Sequence, residues 1–223
     1  IGPLLAGYLI DTLSINWVFV VISAVPAIGL VSSCFFVGNA RSGHATPRSL
    51  LGYRAQASLL RENVGVQMSL TVTIAVLFAL GANAAFLPVY LEELTFSATL
   101  IGVLVSTRAL AAMLIRPIMP QVIQALGGRA RAMIASVAAV AMGLMWTGMT
   151  GNAWSLAMLA VILGLGSGIS QPLSMVILAE HVHPEQRSSA LGMRLMGNRG
   201  AQVLAPLLLG IIAELIGFTL TFL

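Results

Sequence analysis

The chain has 223 residues, of which 58% are hydrophobic and 8% charged, and its mean hydropathy is +0.98. Soluble domains carry about a quarter charged residues, so a water-soluble globular fold is excluded and an integral membrane protein is expected. The formal charge of +4 comes from eleven arginines and no lysine, and these fall mostly between apolar runs, which points to membrane topology and away from nucleic acid.

Crossing a bilayer takes about 20 apolar residues in a helix. The chain opens in an apolar run that ends at Asp11. The first complete span reads Trp17 to Val37, and it contains Cys34, whose lack of a second cysteine rules out an intrachain disulfide. Next comes the only long connector, residues 38–65, with Arg41, Arg48, Arg54 and Arg61. Its "SLLGYRAQASLLREN" reads either as an amphipathic helix on the membrane face or as a solvated linker.

Five further spans follow: Val66 to Leu91, Thr99 to Met119, Ala132 to Gly151, Ala153 to Ala179, and Ser189 to Ala213. Another apolar run starts after Gly217. Both ends of the chain lie within apolar runs, so a piece of a longer protein is expected. The runs are continuous rather than alternating, which argues for helices and against a β-barrel.

Loop charge sets the orientation, because cytoplasmic loops carry the Lys/Arg excess. The loops 38–65, 120–131 and 180–188 hold arginine, whereas the turns at Glu92–Glu93, Gly151 and Glu214 hold none. This strict alternation predicts that the arginine-bearing loops are cytoplasmic.

Few residues in the spans carry chemistry. "GLGSG" at Gly164 to Gly168 follows no strand, so close helix packing through Gly164 and Gly168 is the better reading than a dinucleotide loop. His181 and His183 between Glu180 and Glu185 read as an interfacial loop rather than a metal site. No set of residues suits nucleophilic catalysis, so no enzyme and no cofactor are expected.

What stands out are polar groups at membrane depth. Arg108 and Arg199 sit near mid-span, where an arginine costs about 2.5 to 3.5 kcal/mol to insert. Asn83 and Gln171 also lie deep and demand partners. Arg187, Arg194, Asn198 and Gln202 share one face of the last span, with Arg199 beside it. Arg194, near the end of its span, reads as helix-to-helix hydrogen bonding. Arg108, Arg199, Asn83, Gln171, Asn198 and Gln202 are the candidate cavity-lining or substrate-binding residues.

The opening "GPLLAG…D" recurs 203 positions later as "APLLLG…E", six helices on, as a duplicated six-helix unit would leave it. "GPLLAG" at Gly2 to Gly7 resembles the end of the fifth-helix motif of proton-coupled antiporters, G-P-x-x-G-G, with Ala6 in place of the first closing glycine. "GGRARAM" at Gly127 to Met133 resembles the basic motif between the eighth and ninth helices, with Gln124 nearest to the place of the usual acid. "HPEQRSSALGMRLMGNRGAQVLAPLLLG" resembles the tenth-to-eleventh loop and the eleventh helix. By these three stretches the chain resembles the major facilitator superfamily.

The resemblance implies an all-α polytopic bundle. Residues 1–37 would end the N-terminal bundle as its fifth and sixth helices, 38–65 would be the central cytoplasmic loop, and 66–223 the C-terminal bundle up to a truncated twelfth helix. It also implies gating or conformational roles for Gly2, Pro3, Gly7, Gly127, Gly128, Arg129 and Arg131. The function implied is secondary transport of small organic molecules by alternating access, coupled to protons and directed outward, in a bacterial inner membrane. Its partners would be the solute, protons, the lipid bilayer and the N-terminal half of the same chain. Uptake of an anionic metabolite is the alternative suggested by the two deep arginines, with a non-transporting scaffold or signalling protein behind it.

Overall fold

A computed structural model describes residues 2–12, 15–37 and 63–216, and among these there are helices and no strands. The helices are α1 (Gly2–Thr12), α2 (Ile15–Val37), α3 (Val64–Glu93), α4 (Ala98–Ala125), α5 (Arg129–Thr147), α6 (Ala153–His181) and α7 (Arg187–Ile216). The five from α3 to α7 are long and apolar enough to cross a membrane. Most of the connector 38–65 lies outside the described residues, as does the reading of an amphipathic helix within it. Its last residues are described, and they place the start of α3 at Val64, two residues before the apolar span begins.

Short polar residues start the helices where their side chains can take the orphan N–H groups. The Asn63 side chain accepts from Gly65 N and Val66 N, Ser97 from Leu100 N, and Asn152 from Trp154 N. The turn into α5 has no such cap and instead passes through Gly127 (φ 76°) and Gly128 (φ 120°), left-handed values that a side chain would strain. Prolines inside α3, α4, α6 and α7 do not end them. A helix in lipid has no water with which to satisfy a broken backbone, so it stays helical through proline where a soluble one would stop.

Helix α6 is the centre of the bundle, packed on α4 and α5 and also against α3, while α7 packs on α3 and α1 on α4. Small residues decide which helices come close. A Cβ on Gly164 would lie 2.4 Å from the Arg108 carbonyl oxygen, and one on Gly168 would lie 2.7 Å from that of Ala112, so α4 and α6 touch backbone to backbone. Around this contact Ile115, Met133, Ile169 and Leu173 fill one core, and Leu87, Leu91, Leu104 and Leu156 another.

Helices α3 to α7 run up and down in succession, and the described loops between them sort by charge accordingly. At one end Tyr90 Oη donates to the Thr150 carbonyl, joining the α3–α4 and α5–α6 turns. At the other, Arg129 pairs with Glu180, and Asn63 Nδ2 donates to the His181 carbonyl. Arg129, Arg131 and Arg187 all lie near this second end.

Candidate functional site

Helices α1 and α4 meet through glycine on both sides. A Cβ on Gly7 would lie 2.3 Å from the Ala98 carbonyl oxygen, and one on Gly102 would lie 2.4 Å from that of Pro3. Just past this crossing the Asp11 carboxylate accepts from both the backbone N–H (2.7 Å) and the hydroxyl of Thr99, at the start of α4. A carboxylate at a helix N-terminus also meets the positive end of the helix dipole. The contact fastens α1 to α4 at the end of the bundle that carries no arginine.

Below that fastening α1, α3 and α4 line an open-sided cavity of 310 Å³. Its walls include Pro3, Gly7 and Ile10 of α1, Asn83, Pro88 and Glu92 of α3, and Val105 and Arg108 of α4. Asn83 lies ten residues back from Glu93 and Arg108 ten residues on from Ala98. At 1.5 Å per residue each is about 15 Å from the end of its helix, which is half of a hydrocarbon core about 30 Å thick.

Neither group is spent on the fold. Asn83 is 2% exposed and its Nδ2 has no acceptor, and Arg108 has no hydrogen-bond or ion-pair partner among the described residues. A second, small space of 10 Å³ is also lined by both residues, together with Thr147 and Leu163. It has room for about one water.

A second polar cluster ties three helices together at the arginine-bearing side. Arg194 of α7 is 8% exposed and donates through Nη2 to the Gln171 carbonyl (2.9 Å), to Gln171 Oε1 (3.3 Å) and to Ser174 Oγ (3.0 Å), and through Nε to Thr73 Oγ1 (3.4 Å). Ser69 Oγ donates to the Ser174 carbonyl, and Thr73 Oγ1 to the Ser69 carbonyl. No carboxylate takes part. The guanidinium is met by neutral oxygens from α3 and α6, the arrangement by which a buried charge is tolerated without an ion pair.

The six candidate cavity residues therefore divide. Asn83 and Arg108 share the cavity. Gln171 belongs to the Arg194 cluster, with its Nε2 buried and unpartnered. Arg199 donates to Gln202 Oε1 (3.1 Å) on an exposed face of α7, and Asn198 beside them buries an Oδ1 that accepts nothing. The stripe of Arg187, Arg194, Asn198 and Gln202 is thus buried at Arg194, partly buried at Asn198 and exposed at Gln202. Of the motif residues, Pro3 and Gly7 form the α1–α4 crossing, Gly127 and Gly128 the strained turn, and Arg131 lies over Gly127.

Three features escape a reading by spans. Glu92 lies at a span end yet lines the cavity, which only the fold of α4 beside it reveals. The Asp11–Thr99 contact joins residues 88 apart, and the oxygens on Thr73, Ser69 and Ser174 give no sign in sequence of which arginine they serve.

The pattern of helices matches known proteins. A relative, the Multidrug resistance protein MdtG of Dickeya zeae (strain Ech586), is 26% identical over 228 aligned positions, covering 100% of this chain and 55% of that protein. The chain spans about half the length of that curated relative. A family model described as Major Facilitator Superfamily matches residues 69–223, from the first turns of α3 through all of α7. On that match, and on its spans and their packing, the chain is a multi-pass membrane protein that belongs to the Major Facilitator Superfamily.

Proposed function

We propose that this chain supplies the C-terminal bundle, and the last two helices of the N-terminal bundle, of a secondary transporter that moves small organic solutes outward by proton-coupled efflux. The observation that carries the reading is the cavity between α1 and the α3–α4 pair, which reaches from Glu92 and Ala98 at the helix ends to Asn83 and the unpaired Arg108 at mid-depth. A cavity shared between two bundles opens to one side or the other when they rock, which is alternating access. The relative's printed name, a multidrug resistance protein, favours export of foreign organic molecules. Arg108 and Asn83 also suit the alternative, uptake of an anionic metabolite, and the direction of movement separates the two.

The acids of this chain lie in loops or at helix ends, where water serves them, so the proton-carrying carboxylate is assigned to the first half of the full protein. The test is reconstitution of the full-length protein in liposomes with an imposed pH gradient, following fluorescent aromatic solutes of either charge. Gradient-driven movement is expected; none in either direction would leave a scaffold as the reading. In the same vesicles Arg108→Gln is expected to cut the rate about tenfold or more at normal abundance, with Arg108→Lys retaining part of it. Wild-type rates and apparent affinity in Arg108→Gln would remove Arg108 from the solute path.

The arginine-bearing loops are assigned to the cytoplasm of a bacterial cell with this protein in its inner membrane. With Cys34 changed to Ser, a cysteine placed at Thr95 is expected to react with an impermeant thiol reagent applied outside, and one at Ser188 to resist it. The opposite pattern inverts the orientation.

A further inference from the structure

We propose that the α1–α3–α4 cavity recognises an anionic group on its solute, a carboxylate or a phosphoryl or sulfonyl anion, seated between the Arg108 guanidinium and the Asn83 amide. The inference rests on the transport reading and adds the chemistry of what is carried. Arginine keeps its charge where lysine could lose its proton, so the guanidinium at this depth needs an acceptor. Among the described residues there is none: the Arg108 side chain bonds no described residue, and the Nδ2 of Asn83, a residue 2% exposed, has no acceptor among them either.

The contrast with Arg194 sharpens the point. There the same side chain, buried in the same bundle, meets four oxygen contacts from Thr73, Gln171 and Ser174. This chain therefore satisfies a deep arginine where the role is structural, whereas at Arg108 it leaves the guanidinium unpaired beside a space of 310 Å³ that Asn83 also lines, with the Asn83 Nδ2 buried and unpartnered behind that wall. That volume fits a small organic ligand. Planar paired donors favour an oxyanion over a lone carbonyl, because guanidinium binds a carboxylate or phosphoryl group through two parallel N–H bonds.

Glu92 is the one acid among the cavity residues, and it does not neutralise Arg108. No ion pair joins them, and nine residues of helix place Glu92 about 14 Å from the level of Asn83. It stands at the rim, where it sets the charge of the entrance. The other walls, Pro3, Ile10, Pro88 and Val105, are apolar and suit the hydrocarbon part of an amphiphile.

The test uses the full-length protein with Cys34→Ser and Ala84→Cys, since Ala84 is an exposed residue of the cavity wall. The rate of thiol labelling is measured with three probes of one shape: 2-naphthoate, its neutral amide, and 2-naphthylmethylammonium. Naphthoate is expected to slow labelling about tenfold, with the other two changing it less than about twofold. Arg108→Gln and Asn83→Leu should each abolish that protection, and Arg108→Lys should keep part of it. The two substitutions at Arg108 and the one at Asn83 give independent routes should one variant fail to fold.

Equal or better protection by the amide or the ammonium, protection that survives Arg108→Gln, or no protection by any probe would each overturn the proposal. Transport in liposomes made from the same preparation separates this from the wider reading. Solute movement without naphthoate protection rejects the anion site and keeps the transporter, whereas Arg108-dependent protection without movement does the reverse.

Discussion

Replacing Gly102 by Leu is expected to reduce transport by at least tenfold while leaving the amount of membrane-inserted protein near normal. The Cβ of any side chain there would lie 2.4 Å from the Pro3 carbonyl oxygen, with the Pro3 carbonyl carbon and Leu4 Cα close behind. All three are backbone atoms of α1, which cannot turn aside as a side chain could. Ordinary contact requires about 1 Å more, so α1 must back away from α4 along the line where they seal the cavity. The cores around Leu104 and Ile115 lie on other faces of α4, so the C-terminal bundle itself should still form. Even Gly102→Ala should slow transport, because its Cβ already meets the obstacle. Normal transport by the Leu variant would show that α1 and α4 need not close this tightly during the cycle.

Arg194→Met is expected to lower the thermal stability of the detergent-solubilised protein by about 2 kcal/mol. Side-chain hydrogen bonds within membrane bundles average about 0.6 kcal/mol, and Arg194 makes four, to Thr73 of α3 and to Gln171 and Ser174 of α6. Met keeps most of the side-chain volume, so the change reads polar linkage rather than a cavity. Lysine in the same place should recover only part of the loss, because a single ammonium cannot reach oxygens on two helices as the guanidinium does. Unfolding followed by tryptophan fluorescence, with Arg199→Met as the control on an exposed face, makes the comparison. A larger loss from Arg199→Met than from Arg194→Met would contradict the assignment of Arg194 as the tie between α3, α6 and α7.

The helices were legible because the physics that sets them is one-dimensional. A span must be about 20 apolar residues long whatever it packs against, and five of the spans read from hydropathy reappear as α3 to α7, displaced by a few residues at the ends. The largest such displacement is in α4, which continues to Ala125 past Pro117 and Pro120, where a reading by apolar run alone stops at Met119. Glycine spacing also carried through: Gly164 and Gly168 were readable as a packing pair, although only the fold shows that their partner is α4.

The site was legible in its residue types and not in its grouping. Depth marks Asn83, Arg108, Gln171 and Arg199 alike, since each interrupts an apolar run, but depth says nothing of azimuth or of neighbours. Tertiary packing alone sends Gln171 to Arg194, leaves Arg199 with Gln202, and puts Asn83 beside the same space as Arg108. Glu92 and Asp11 were hidden for the opposite reason. An acid at a span end looks merely solvated until the helix opposite it is known.

Alternating access as proposed requires α1 and α4 to part at their Asp11 and Thr99 ends for solute to pass. The direct measurement is transport by the full-length protein carrying Asp11→Cys and Thr99→Cys in a Cys34→Ser background, assayed in liposomes before and after oxidation. The side chains at these positions touch through the Asp11 carboxylate and the Thr99 hydroxyl, so a disulfide between the cysteines would hold the two helices together. Oxidation is expected to reduce transport to under about a tenth of the reduced rate, and reductant to restore it. Transport at the full reduced rate by protein shown to be completely cross-linked would contradict the claim.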